Sequence, residues 1–247
     1  MGKVILTASG KGGVGKSTLT ANLAACLADA GKKVLCIDGD LQMRNLDILM
    51  GLSDGALFDL QDLCWGRCDF EKAVLCHPGH KNLFLLPAPA FAKEDARVLY
   101  SFIRTLAEKK SGEFDFILID CPSGSGDYLD FLVHRGVDAL IVATPEPAAL
   151  RDAERTASLI ARRGGRTRLI VNRVRKTLIN KGYLPDIDDI IDACEVRLIG
   201  VIPEDVSLYI GSAEGRLLRD VGRAKALPAL ENTAGRIAGQ NRPLAKF

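Results

Sequence analysis

The sequence predicts an α/β fold: a doubly wound, mostly parallel sheet with helices on both faces. Three observations carry that expectation. Short apolar, β-rich runs alternate with stretches of helical periodicity along the whole chain, as in a parallel sheet with helical crossovers. A glycine-rich loop stands between the first such run and the first helical stretch. Two further runs end in carboxylates, one at Asp38 and Asp40, the other at Asp120, and open parallel sheets bind ligands at the carboxyl ends of their strands. With 247 residues, 47% of them hydrophobic, the chain can build one α/β domain with a large core. A single domain over 1–247 is expected, with 230–247 as a C-terminal tail free to move.

In chain order, residues 3–8 (KVILTA) form the first strand. The loop Gly10-Lys11-Gly12-Gly13-Val14-Gly15-Lys16-Ser17-Thr18 fits G-x-x-x-x-G-K-S/T, the phosphate-binding P-loop, with a strand before it and a helix after it. Its glycines let backbone N–H groups turn inward around phosphate oxygens at the positive end of the helix dipole. Lys16 is then placed to reach the β- and γ-phosphates, and Ser17 to ligate Mg²⁺. Behind the loop, Leu19, Leu23, Cys26, Leu27 and Ala30 share one helical face, and Gly31 ends the helix.

Lys11 is a second lysine inside the loop, where an ordinary P-loop requires no charge. The pattern resembles K-G-G-x-G-K-S/T, the signature of the deviant Walker A ATPases of the MinD/ParA group. The resemblance implies that Lys11 reaches across a nucleotide-sandwich homodimer to the partner's phosphates. Spacing alone is met equally by a solvated loop lysine.

Further strands are expected at 33–38, 82–87, 114–120, 139–144, 167–172 and 198–202, with helices at about 93–110, 127–135, 147–162, 186–194 and 223–238. The strand at 33–38 leads into Asp38-Gly39-Asp40. Phosphoryl transfer needs a group that orients the attacking water; Asp40 is the candidate, with Asp38 beside Mg²⁺ or the P-loop. Turn acids capping the next segment would leave the same pattern, and one of the two is expected to be structural. The following Arg44-Asn45-Leu46-Asp47, and Asn82-Leu83-Phe84-Leu85-Leu86-Pro87-Ala88, are similar to stretches of the MinD branch of the group.

Residues 114–120 end at Asp120 and run into Cys121-Pro122-Ser123-Gly124, a Walker B strand and second switch. Asp120 would hold Mg²⁺ through water, and the loop would sense the γ-phosphate. The MinD branch commonly reads D-x-P-A-G here. Ser123 replaces its alanine, and Gly126-Asp127 replaces its acidic-amide pair. Residues 144–155 (TPEPAALRDAER) are again similar, which implies a dimer face and a partner-binding groove including Asp152. Without the resemblance they are a proline-started helix with charges on its wet face.

An Asn amide at a strand end can pair with a base edge, and an Arg can stack on a ring; Asn172-Arg173 has that form, and the resemblance assigns it to adenine. It also implies that the loop Pro203-Glu204-Asp205 closes over the other side of the base.

A net charge of +2 argues against a strongly basic nucleic-acid binder. Seven scattered cysteines suit reduced thiols. Cys64, Cys68, Cys76 and His77 lack zinc spacing, and His80 and His134 stand isolated. The N-terminal apolar run is too short for a signal sequence, and no run approaches a membrane span. A cytoplasmic protein is expected, with peripheral association at the inner face of the cell membrane.

The resemblance covers residues 3 to about 218. It implies an ATPase that binds ATP/ADP and Mg²⁺, dimerises on ATP and helps to place the division septum. The partners it implies are a MinC-like inhibitor and a MinE- or DivIVA-linked activator. Two rivals remain at this point. One is a ParA-like DNA-partition or flagellar-number ATPase, using the basic run Arg162, Arg163, Arg166 and Arg168. The other is a metal-cluster carrier using Cys121. Relatives usually finish in a basic amphipathic anchor helix. Here Gly235, Gly239 and Pro243 disfavour one, and Leu244 and Phe247, with Arg236, Arg242 and Lys246, predict only weak membrane binding.

Overall fold

The computed structural model describes residues 1–92 and 95–244. Its strands are β1 (Lys3–Ser9), β2 (Val34–Asp38), β3 (Leu75–Cys76), β4 (Leu83–Leu86), β5 (Phe116–Ser123), β6 (Asp138–Ala143), β7 (Arg166–Val174) and β8 (Leu198–Pro203). The long helices fall close to the expected stretches, although the first is buried nearly all round and not along one face, and short ones fill the connections. In order they are α1 (Lys16–Asp29), α2 (Leu46–Leu49), α3 (Leu60–Cys64), α4 (Phe70–Ala73), α5 (Ala96–Lys110) and α6 (Tyr128–Leu132), then α7 (Pro147–Arg162), α8 (Lys176–Asn180), α9 (Ile187–Cys194), α10 (Val206–Glu214), α11 (Leu218–Val221) and α12 (Leu227–Ile237).

The strands form one sheet in the order β3-β4-β2-β5-β1-β6-β7-β8. Every pairing is parallel except that of the edge strand β3 with β4. Both faces of the sheet are buried, so its strands are apolar at consecutive positions instead of alternating. In β1, Leu6 joins the layer of Ile103 on α5 and Ile160 on α7, while Ile5 joins that of Leu23 on α1 and Leu230 on α12. Neighbouring registers bring Thr7, Asp38 and Asp120 to one level. The carboxyl ends of β1, β2 and β5 thereby open at the P-loop.

The helix expected at 127–135 is confined to Tyr128–Leu132, and the one expected from 93 begins at Ala96, with Lys93 and Glu94 outside the described residues. Residues 230–237, where a tail was expected to begin, lie in α12, with Leu230, Ala234 and Ile237 in the core. Of the residues expected to meet a membrane, Leu244 is exposed, and Lys246 and Phe247 lie outside the described residues. Among the described residues no helix is long and apolar enough to cross a membrane.

His80, isolated in the sequence, is not isolated in the fold. It is buried, with Nδ1 2.7 Å from Asp29 Oδ1 and Nε2 3.4 Å from Asp220 Oδ2. Asp29 also accepts from Arg219 at 2.8 Å. This network ties the end of α1 to α11 behind the sheet.

Candidate functional site

The P-loop leaves β1 and enters α1 through two glycines in the left-handed region, Gly13 at φ 79° and Gly15 at φ 89°. Lys16, the first residue of α1, is buried and lies 2.9 Å from Asp120 Oδ1 through its Nζ. Its Nζ also donates to Ser17 Oγ at 3.2 Å, and Ser17 Oγ donates to Asp120 Oδ2 at 2.6 Å. Thr20 Oγ1 donates to Asp120 Oδ1 at 3.0 Å. Burial pushes the Asp120 carboxyl up, while the Lys16 ammonium and the hydrogen bonds from Ser17, Lys16 and Thr20 pull it back. Of the expected metal groups Ser17, Asp38 and Asp120, the first and last are therefore already in contact.

Asp38 has a different set of partners. One of its oxygens accepts the Asp40 N–H at 3.1 Å; the other accepts those of Asn45 and Leu46 at 3.0 and 3.1 Å. It orders the loop between β2 and α2 from within the core. Burial, then the nearby Asp120, raise its pKa to about 7 against the pull of those N–H groups. Asp40 instead lines a 410 Å³ cavity with Gly12, Lys16, Ser17, Asn45 and Ser123. The two strand-end acids thus divide into a loop-holding residue and a cavity-facing one.

A second cavity of 480 Å³ is lined by Gly15, Thr18, Asn172, Arg173 and the Pro203-Glu204-Asp205 loop. Thr18, Gly15 and Arg173 line both cavities. Asn172 Nδ2 donates to the Val14 carbonyl at 2.8 Å, and its buried Oδ1 has no partner among the described residues. Arg173 is exposed and left-handed at φ 55°, where the β7–β8 register shifts between Val171 and Val174. The bulge turns its side chain off the regular alternation of the strand. Glu204 pairs with Arg175. Asp205 holds the loop by accepting from Ser207 N and Ala226 N, both at 2.9 Å.

Sequence reasoning missed α10, whose Val206, Leu208 and Tyr209 wall this cavity. The available signal was Asp205 two residues before Ser207, a helix N-cap, with Gly215 as the stop.

These residues fit a nucleotide and Mg²⁺. A Cβ at Gly13 would meet nothing within 4 Å, so the loop is open on its phosphate side, and one at Gly12 would lie 3.6 Å from Ser123 Oγ. Ser9, at the loop's root, keeps a buried hydroxyl without a protein partner. The unpartnered Asn172 Oδ1 is an acceptor of the kind an exocyclic amine needs. Gly10 is required for a separate reason: a Cβ there would stand 2.1 Å from the Asp152 carbonyl of α7. Lys11 is exposed and makes no ion pair among the described residues.

Gly15→Ala tests the coupling of the two cavities. The new Cβ would stand 2.4 Å from Asn172 Nδ2 at a residue of positive φ, whereas Gly13→Ala meets only the unfavourable φ. The left-handed backbone costs about 1–2 kcal/mol, and crowding adds about 1–3 kcal/mol. Urea unfolding is expected to find Gly15→Ala the less stable of the two, with adding Asn172→Ala recovering the difference.

A parallel sheet with a P-loop at the end of its central strand, two acids on adjacent strand ends and a base-sized cavity alongside defines a P-loop nucleotide-binding ATPase. The model of the CobQ/CobB/MinD/ParA nucleotide binding domain matches residues 5–218. Septum site-determining protein MinD of Synechocystis sp. is 38% identical over 249 residues, 100% of this chain and 93% of its own. MinD of Bacillus subtilis is 35% identical, covering 99% of this chain and 92% of its own. Among solved structures, a chain of the MinC:MinD cell division protein complex of Aquifex aeolicus superposes with a TM-score of 0.87 at 34% identity, covering 99% of each chain. MinD complexed with Mg-ADP from Pyrococcus horikoshii OT3 does so at 0.84 and 30% identity, covering 96% of each. A ParA family ATPase of Chlorobium tepidum, 22% identical with a TM-score of 0.79, shares the fold. The chain belongs to the MinD family of these ATPases.

Proposed function

We propose that this chain is an ATP-driven switch of septum placement, pairing with a second copy on ATP and separating after hydrolysis to ADP and phosphate. The observation that carries the reading is Lys11, an exposed cation without an ion pair among the described residues, on a P-loop whose own Lys16 is already committed within the subunit. Its position suits phosphates presented by another copy.

Lys16 and the P-loop N–H groups hold the β- and γ-phosphates and neutralise their charge. Mg²⁺, held by Ser17 and by Asp120 through water, would supply further neutralisation at the phosphate oxygens when bound. Asp40 accepts a hydrogen bond from the attacking water and fixes its direction, while Asp38 keeps the Asp40 loop in place. Asn172 Oδ1 accepts from the adenine amine, with Arg173 and Pro203 beside the ring and Glu204 and Asp205 completing the loop. The Ser123-Gly124 segment responds to the γ-phosphate.

A MinC-like inhibitor is the inferred partner, by similarity to the Aquifex complex, along with an activator of the MinE or DivIVA-linked kind. The inferred location is cytoplasmic, with weak or indirect attachment at the inner face of the membrane. ATP-dependent sedimentation with liposomes, and its absence with DNA, would separate this reading from a ParA-like one.

Asp40→Ala is expected to lower turnover about 100-fold or more while the ATP-bound dimer persists, because orienting water matters to the reaction more than to ground-state affinity. Light scattering gives the mass and phosphate release the rate. Turnover within a few-fold of the parent would move the role to another group.

A further inference from the structure

The second switch is held from a direction that the reaction scheme does not use. Gly124, left-handed at φ 83°, follows Ser123 at the wall of the phosphate cavity. Its N–H donates to the Ser9 carbonyl at 2.8 Å, at the end of β1 where the P-loop begins. Its carbonyl accepts from the Tyr128 hydroxyl at 2.7 Å. Tyr128 is the first residue of α6 and only 2% exposed. Burial, and then the neighbouring Cys121, push its hydroxyl far above the ordinary tyrosine range, so it remains a proton donor. The Tyr128 and Tyr100 rings lie 6.2 Å apart at 59°, which seats α6 on α5. Gly126 and Asp127 stand directly before the tyrosine. Asp127 makes no side-chain cap for α6, and among the described residues the tyrosine hydroxyl ties this helix start to the switch.

We propose that Tyr128 is a positioning residue for hydrolysis, its hydroxyl fixing the Gly124 carbonyl and thereby the Ser123 peptide against the P-loop. The proposal rests on the ATPase reading of the site. Tyr128 touches no substrate; it acts through Gly124. A shift of α6 would then be transmitted to the switch through one hydrogen bond, and the rate would respond to what happens on the α5–α6 face.

The test is Tyr128→Phe, which keeps the ring and removes the hydroxyl, with Tyr100→Phe as the control for loss of a neighbouring tyrosine hydroxyl. In Tyr128→Phe, kcat is expected to fall about tenfold, while ADP affinity stays within twofold. Tyr100→Phe is expected to change neither. An unchanged kcat together with a lower melting temperature would make the hydroxyl purely structural and overturn the proposal. Hydrogen exchange of nucleotide-free protein gives a second arm that does not depend on turnover. Residues 121–127 should exchange about tenfold faster in Tyr128→Phe, with β1 unchanged. Unchanged exchange there overturns the strut. If the parent hydrolyses no ATP, the ATPase reading fails and the exchange arm alone decides.

Discussion

Lys16→Ala is expected to abolish nucleotide binding and to weaken the fold at the same time. The ammonium faces the β- and γ-phosphates in the reading proposed here, but in the protein itself it sits 2.9 Å from the buried Asp120. Removing one member of a buried pair leaves an uncompensated charge and costs about 3–5 kcal/mol. The sign of its pH dependence follows from Asp120, whose pKa burial already raises. An acid raised in the folded state contributes stability below its unfolded pKa and loses it as pH climbs through the folded value. Without Lys16 that rise is larger, so the deficit in melting temperature should be smaller at acidic pH and widen as the pH is raised. The double variant Lys16→Ala/Asp120→Ala should recover much of the stability and none of the ADP binding. Calorimetry for ADP and thermal melts across pH separate the two losses. A deficit independent of pH would show that Asp120 is not the source of the instability.

Lys11→Ala is expected to do the converse. Lys11 is exposed and has no ion pair among the described residues, so its loss should leave the melting temperature and ADP affinity unchanged. If it completes the site of a second copy, ATP should no longer raise the scattering mass. Turnover should drop about 1,000-fold or more, the scale of a charge supplied in trans to phosphoryl transfer. Normal ATP dimers in this variant would remove the trans assignment. The pair of lysines, five residues apart in one loop, would thus be told apart by opposite signatures in stability and assembly.

The phosphate half of the site was legible because its chemistry is local. Strand, glycines, Lys16, Ser17 and helix are contiguous, and the turn they make needs no distant residue. Asp38 and Asp40 were legible as a pair, with Asp40 as the candidate to orient the water, but the sequence did not say which of the two is structural. Their division depends on where the N–H groups of Asn45 and Leu46 arrive, which is decided by the loop after them. The wall formed by α10, the His80 contacts with Asp29 and Asp220, and the hold of Tyr128 on Gly124 were not visible. The first is a short helix with little apolar periodicity; the His80 contacts join residues 51 and 140 positions apart. Tyr128 lies four residues from its partner, yet the tie exists only because Gly124 turns left-handed. The central strands were predictable to within a few residues because burial on both faces makes them continuously apolar. The two-residue edge strand β3 carries no such mark.

One side chain of the second cavity is tied directly to the phosphate loop. Asn172 holds the Val14 carbonyl of the phosphate loop with its nitrogen and leaves its oxygen without a protein partner. A guanine ring presents a carbonyl where adenine presents an amine, and two acceptors repel. Rotating the amide to greet guanine would turn the nitrogen away from Val14 and slacken the loop that grips the phosphates. In the reading proposed above, in which Asn172 Oδ1 accepts from the adenine amine, base identity is written into the mechanics of the phosphate grip: a wrong nucleotide would be held by a disarmed loop and not merely more loosely. Discrimination should register in the rate of bond cleavage as well as in occupancy, so that raising the concentration of GTP does not buy back the lost turnover.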